Sequence, residues 1–342
     1  MNINELFQIA SQKKASDLHL IVGKPPIIRV DGELKIIPDM PVIKKTDMEA
    51  LVLSIITDAQ KEKFLKEREL DVSYELEGFS RYRINLHFEK DNMGLVARVI
   101  SNIIPTMEEL ELPPIAFDLI SKPQGLILIT GPTGCGKSTT LAAMVQRIND
   151  NRFANIITLE DPIEYIYTPS RSIIKQRQLG TDMNSFGNAL KHVLRQDPNV
   201  IMVGEMRDLE TIAATITLAE TGHLVLATLH THNASQTIDR IIDVFPPHQQ
   251  AQVRLQLSVS LSGIISQKLL PRKGGGRVAA REILVNNAAV ANLVRENKIP
   301  QIKTIIQTSA DQGMMTMDYH LKALLDHGLI DEPTAIAYSV DG

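Results

Sequence analysis

Apolar positions along this chain follow two periods, and the change between them divides it. Asn4 to Lys14 carries apolar residues at helical spacing and predicts a short amphipathic helix. Ile27–Val30 and Leu34–Ile37 flank Asp31-Gly32, a pair that tolerates the positive φ of a tight hairpin. Thr46-Asp47-Met48-Glu49 reads as a capping box ahead of a helix, and Thr57-Asp58-Ala59-Gln60 opens another. From Arg81 to Phe88 the period is two. Tyr82, Ile84, Leu86 and Phe88 face one way, and Arg81, Arg83, Asn85 and His87 the other. Residues 1–100 are therefore expected to form a mixed α+β domain.

Beyond it the pattern changes. Residues 101–124 contain Pro105, Pro113, Pro114 and Pro123 around the acidic pair Glu108-Glu109, which suggests a linker (101–113) and a docking helix. Residues 125–285 alternate short apolar runs with helical stretches, the signature of a mainly parallel α/β sheet. Leu126–Thr130, Asn155–Leu159, Val200–Val203 and Leu224–Leu229 are expected strands, continuous enough in apolar character to be buried on both faces. Lys273-Gly274-Gly275-Gly276 reads as a hairpin turn, and Ala288 to Gly342 as helical. The second domain is assigned to residues 114–342.

Composition narrows the function classes. A net charge of −4 argues against general nucleic-acid affinity, which needs a basic face. No apolar run approaches the roughly 18–20 residues that span a bilayer, and Met1 to Lys14 lacks the apolar core of a signal peptide. A cytoplasmic chain is expected, recruited to a membrane only through a partner. The single cysteine, Cys135, excludes an internal disulfide and a cysteine-rich zinc site.

Ligands of parallel α/β sheets bind at the carboxyl ends of the strands, so the polar residues after each strand carry the chemistry. After the first comes Gly131-Pro132-Thr133-Gly134-Cys135-Gly136-Lys137-Ser138, followed by Thr139, which fits the phosphate-loop pattern G-x-x-x-x-G-K-[ST] between a strand and a helix. Its amides would cradle the phosphates of ATP, Lys137 would reach the β- and γ-phosphates, and Ser138 would hold Mg²⁺. After the second strand comes Glu160-Asp161-Pro162-Ile163-Glu164; taken alone, it reads as a solvated acidic turn. After the third comes Glu205, in Gly204-Glu205-Met206-Arg207-Asp208, a candidate metal-water ligand or base. After the fourth comes His230, a candidate γ-phosphate sensor.

Together these residues resemble the secretion-type ATPases that drive type II secretion and type IV pili, and most of all the pilus retraction motors. The resemblance includes Ala15-Ser16-Asp17-Leu18-His19-Leu20, the phosphate loop, the acidic box Thr158–Tyr165, the segment Gly204–Asp208 and a histidine box from Gly222-His223 to Leu229-His230-Thr231. It implies a RecA-like P-loop ATPase domain after a smaller, PAS-like α+β domain. It also implies a homohexamer that hydrolyses ATP with Mg²⁺ and works with the pilus machinery on an inner-membrane platform protein. In this family Arg81, Arg83 and Arg98 match arginines that reach the phosphates, Glu164 activates water, Glu205 holds Mg²⁺ and the attacking water, Glu160 supports the metal shell, and Arg207 pairs with acidic neighbours.

Two positions depart from the family. Lys90 stands where an arginine is frequent; as a point charge it receives no catalytic role. The retraction signature, roughly A-I-R-N-L-I-R-E, appears as Ala289–Glu296 with Ala291 in place of its first arginine. That leaves room for an accessory, PilU-like role. Extension and type II secretion motors typically add a paired C-x-x-C zinc module, which one cysteine cannot form, so no zinc is expected. A RecA-like nucleic-acid translocase conflicts with the acidic balance. A non-catalytic ATP-binding partner conflicts with the full set of carboxylates.

Overall fold

Phe7 and Tyr82 stack at 4.2 Å between ring centroids in the N-terminal core, and the Tyr82 hydroxyl donates to the Phe7 carbonyl at 2.7 Å. The computed structural model describes residues 1–30, 32–76, 79–100 and 103–340. Contacts divide the chain into two units, Met1–Ile103 with Glu164–Ile166, and Ile104–Ile163 with Tyr167–Gly342.

The first unit begins with α1 (Ile3–Gln12), whose N-terminus is capped by Asn2 and whose Leu6, Phe7 and Ala10 are buried. Strands β1 (Asp17–Leu20), β2 (Ile27–Val30) and β3 (Glu33–Ile36) follow, then α2 (Lys45–Leu53), α3 (Asp58–Glu67), β4 (Glu69–Leu76), β5 (Ser80–Glu89) and β6 (Asn92–Ile100). The sheet order is β3-β2-β1-β6-β5-β4, antiparallel throughout. The expected hairpin forms between β2 and β3 with Val30 facing Glu33; Asp31 lies outside the described residues. Tyr82, Ile84 and Leu86 are buried while Arg83 is exposed, as the alternation on β5 requires.

One helix start differs from expectation. Helix α2 begins ahead of Thr46, because the Asp47 carboxylate accepts the Lys44 amide at 3.2 Å and so closes the first turn two residues earlier. Helix α3 starts where expected: Thr57 accepts from the Gln60 amide, and the Gln60 side chain accepts from the Thr57 amide.

The second unit carries α4 (Pro114–Ser121), β7 (Gly125–Thr130), α5 (Lys137–Asn151), β8 (Asn155–Glu160), β9 (Ile173–Gln178), α6 (Phe186–Val193), β10 (Val200–Val203), α7 (Leu209–Glu220), β11 (Leu224–Leu229), α8 (Ala234–Asp243), α9 (Pro247–Ser260), β12 (Leu261–Pro271), β13 (Arg277–Val285), α10 (Ala288–Arg295), α11 (Ile302–Thr308), α12 (Met317–Asp326) and α13 (Glu332–Tyr338). The sheet order is β13-β12-β7-β11-β10-β8-β9. Every neighbouring pair is parallel except β12–β13, whose hairpin turns at the expected glycine run. Strands β7, β10 and β11 are buried at every position, so their polar neighbours collect at the carboxyl ends. Strand β9 has no counterpart among the expected strands, and β12 and β13 were expected only through the turn between them. Among the described residues, no helix is long and apolar enough to cross a membrane.

The second unit begins at Ile104, ahead of α4. Arg281 on β13 donates to the carbonyls of Leu110 at 2.7 Å and Glu111 at 3.0 Å, tying that segment to the sheet. Burial pulls the Arg281 guanidinium down to about 10. Its amide donates to His320 Nδ1 at 2.9 Å, and burial, assisted by the Arg281 charge, lowers His320 to about 4. Nδ1 accepts this bond only while the ring is neutral. In the unfolded chain a histidine titrates near 6.5, so between about 6.5 and 4 the unfolded state binds the extra proton and folding loses stability as pH falls. The loss should approach roughly 3 kcal/mol. Chemical unfolding of wild type and His320→Asn at stepwise pH should show a shallower acid slope in the variant across this window.

Candidate nucleotide and metal site

The phosphate loop joins β7 to α5 in a conformation that glycine permits. Gly131 has φ +143°, and a Cβ there would lie 2.2 Å from the Gln267 carbonyl oxygen and 2.7 Å from Cys135 Sγ. Gly136, at φ +89°, is the N-cap of α5 and brings no side chain to its first amides. A fifteen-residue helix thus presents its N-terminal amides and dipole from a left-handed turn, the arrangement that binds phosphate. Burial pushes the Cys135 thiol up despite the nearby Lys137 charge, so it stays protonated and unreactive.

Lys137 is buried and donates to the Gly131 carbonyl at 2.9 Å and the Pro132 carbonyl at 3.0 Å. Its Nζ also lies 3.5 Å from His230 Nδ1, and His230 Nε2 lies 3.0 Å from Glu205 Oε1. An ammonium can only donate, so Nδ1 accepts and Nε2–H donates to the carboxylate. Arg207 Nη2 donates to the other Glu205 oxygen at 2.8 Å. Burial raises the Glu205 carboxyl, but the Arg207 hydrogen bond and charge, with the hydrogen bond from His230, outweigh it, and the net shift is downward. Glu205 is therefore held as the carboxylate.

Backbone bonds between strand ends fix this carboxylate. The Gly204 amide donates to the Leu159 carbonyl at 2.8 Å, the Met206 amide donates to the Thr228 carbonyl at 3.1 Å, and the Thr228 hydroxyl donates to the Gly204 carbonyl. Glu205 is thus clamped between the ends of β8 and β11. Ser138 offers a hydroxyl in the first turn of α5 and Glu205 a carboxylate. Both are hard oxygen donors of the kind Mg²⁺ accepts beside substrate phosphates, so the residues present fit that ion.

The remaining expected residues have other surroundings. Glu160 ends β8 almost fully buried, accepting from the Thr158 hydroxyl at 2.6 Å and the Gln176 amide at 3.2 Å. Glu164 is exposed, lies outside helix and strand, and groups with the first unit. In that unit Arg83 and Arg98 face each other across β5 and β6, and Arg98 faces Asp17 across β6 and β1. Asp17 in turn faces Arg29 across β1 and β2. Arg98 Nε bonds Asp17 Oδ1 at 2.9 Å, and Arg29 Nε lies 3.9 Å from Oδ2. Three guanidiniums and one carboxylate in a single cross-strand row leave a positive stripe. Arg81 lies two residues from Arg83, on the same face and opposite Glu75. Sequence reading missed Arg29. It also missed Gln267, which stands between Ser266 and Lys268 on β12 and which no motif marks.

Known proteins resemble the chain over nearly its whole length. The chain is 45% identical over 335 residues to the type IV pilus retraction ATPase PilT of Pseudomonas aeruginosa, covering 98% of this chain and 97% of that protein. It is 39% identical to the type IV pilus ATPase PilU of the same organism, covering 99% and 89%. A crystal structure of the pilus retraction motor PilT with bound ADP superposes at a TM-score of 0.94 and 44% identity, covering 100% of this chain and 98% of that one. Residues 106–316 match the family described as Type II/IV secretion system protein, more than half of the 342-residue chain. The α/β phosphate-loop unit, with its line of Lys137, His230 and Glu205, is thus that of a family member: the chain belongs to the type II/IV secretion system ATPases.

Proposed function

We infer that this chain is an ATPase motor that powers type IV pilus retraction. One observation carries the reading: Lys137, His230, Glu205 and Arg207 form a continuous line from the phosphate loop to a clamped carboxylate, in a chain that matches a retraction ATPase from end to end. The loop amides and the α5 N-terminus take the phosphates of ATP, and Lys137 exchanges its loop carbonyls for phosphate oxygens. Ser138 and Glu205 are the residues that hold Mg²⁺, which when bound shields phosphate charge. Glu164 is assigned the deprotonation of water, with Glu160 steadying the strand end that precedes it. His230 couples the occupied loop to Glu205 through its Nε2–H. Arg81, Arg83 and Arg98 belong to an anion-attracting row, and the family's phosphate-reaching role is carried over to them. Catalysis of this kind is positioning plus electrostatics.

The working form is a homohexamer in the cytoplasm, held peripherally at the inner membrane by a platform protein of the pilus machinery. An accessory, PilU-like motor is the second reading. Ala291, half-buried on α10, stands where the retraction signature has an arginine, and the similarity to PilU runs nearly full length.

Lys137→Ala should lower ATP turnover by roughly 10²–10³-fold, as loss of one preorganised donor does. Glu205→Gln should retain ATP in a filter-binding assay while phosphate release stops. Unchanged hydrolysis in both variants would remove the site assignment. Deleting the gene in its host should leave abundant surface pili with no twitching. Bald cells would mean an extension motor, and piliated cells that still move would favour the accessory reading.

A further inference from the structure

Gln267 lies behind the phosphate loop, on β12, and is 2% exposed. Its Nε2 donates to the Cys135 carbonyl at 2.7 Å, and its Oε1 accepts the Thr140 hydroxyl at 3.0 Å. One side-chain amide therefore joins the loop to the helix that follows it. Its own backbone oxygen is the atom that a Cβ at Gly131 would strike. The preceding residue repeats the bracing, because Ser266 and Thr130 share a 2.8 Å hydroxyl–hydroxyl bond and both are wholly buried. Across the hairpin Gln267 faces Arg281, whose guanidinium is held by the Leu110 and Glu111 carbonyls, so the brace stands on an anchored strand pair.

The geometry points to Gln267 as a positioning residue for nucleotide binding, one that acts through the loop and need not touch the nucleotide. A trans peptide sends its C=O and the following N–H in opposite directions. Holding the Cys135 carbonyl toward β12 turns the Gly136 amide the other way, away from Gln267 and into the nest that receives phosphate. Without that bond the 135–136 peptide is free to rotate and bring an oxygen to where the nest needs a hydrogen. Thr140 acts on the same amide from the other side and keeps its Nε2 aimed at the loop.

This inference rests on the proposed ATPase activity. Its test uses the full chain with ADP·Mg as probe, and reads the ADP dissociation constant, kcat and KM for ATP, and the unfolding temperature with and without ADP. Gln267→Met keeps the volume and removes both bonds. It should weaken ADP binding and raise KM about tenfold, the effect of losing one to two net hydrogen bonds. kcat should fall less, and the unfolding temperature without ADP should stay near wild type. Gln267→Glu keeps the acceptor for Thr140 but sets an oxygen against the Cys135 carbonyl, and should bind ADP at least as weakly. Thr140→Val should weaken binding about threefold and lose most of that effect in the Gln267→Met background. If Gln267→Met does not fold, Thr140→Val and Gln267→Glu decide. Folded variants that bind ADP within twofold of wild type, or that lose only thermal stability, would overturn the inference. A wild-type chain that itself bound no ADP would instead refute the ATPase reading.

Discussion

The phosphate loop holds its shape because strand β12 runs beside it. β12 is parallel to β7, with Ser266 in register with Thr130, so Gln267 comes to lie against Gly131. That contact leaves no room for a side chain at 131, and the Gln267 amide pins the next part of the loop. A local motif of eight residues thus takes its working geometry from a residue more than a hundred positions away. The same strand pair holds the Leu110–Glu111 segment through Arg281, so one buried sheet edge supports both the loop and the chain entering the unit.

Electrostatics at the strand ends follow from alternating donors and acceptors. Lys137 donates, His230 accepts at one nitrogen and donates at the other, and Glu205 accepts from His230 and Arg207. No charge in this line stands beside one of its own sign. Burial alone would push the Glu205 carboxyl up, and the Arg207 guanidinium with the His230 Nε2–H bond reverses that. In the first unit the opposite holds. Arg83, Arg98 and Arg29 share a row with Asp17 alone, which leaves excess positive charge across the sheet. A row of that sign is costly to maintain without an anionic partner, which is the reason for reading it functionally.

Much of the fold was legible because its signals are local. The strands ending at Thr130, Val203 and Leu229 are continuous apolar runs between turns, and they form where expected. The β2–β3 hairpin and the Thr57 cap rest on residue types that act within four positions. Strand β9 escaped because its residues read as polar and charged: Lys175, Gln176 and Arg177 face partly outward at a sheet edge. Strands β12 and β13 were marked only by the glycine turn between them, because Ser266, Gln267, Lys268 and Arg281 interrupt their apolar runs. Helix α2 starts early because Asp47, not Glu49, supplies the capping carboxylate.

The sequence by itself determined which polar residues stand at the loop and the strand ends. The glycines permit the left-handed loop turns, Lys137 and Ser138 open the helix, and Glu205 and His230 follow buried strands. These are properties of short segments, set by backbone sterics and by burial of apolar runs. Only the tertiary structure decided how they meet. Strand order places β11 between β7 and β10, which lets His230 bridge Lys137 and Glu205. It also made Glu160 a buried acceptor between strands and Gln267 a brace for the loop. Such contacts depend on which strands become neighbours, and long-range pairing is set by the packing of the whole unit, which no local period in the chain records.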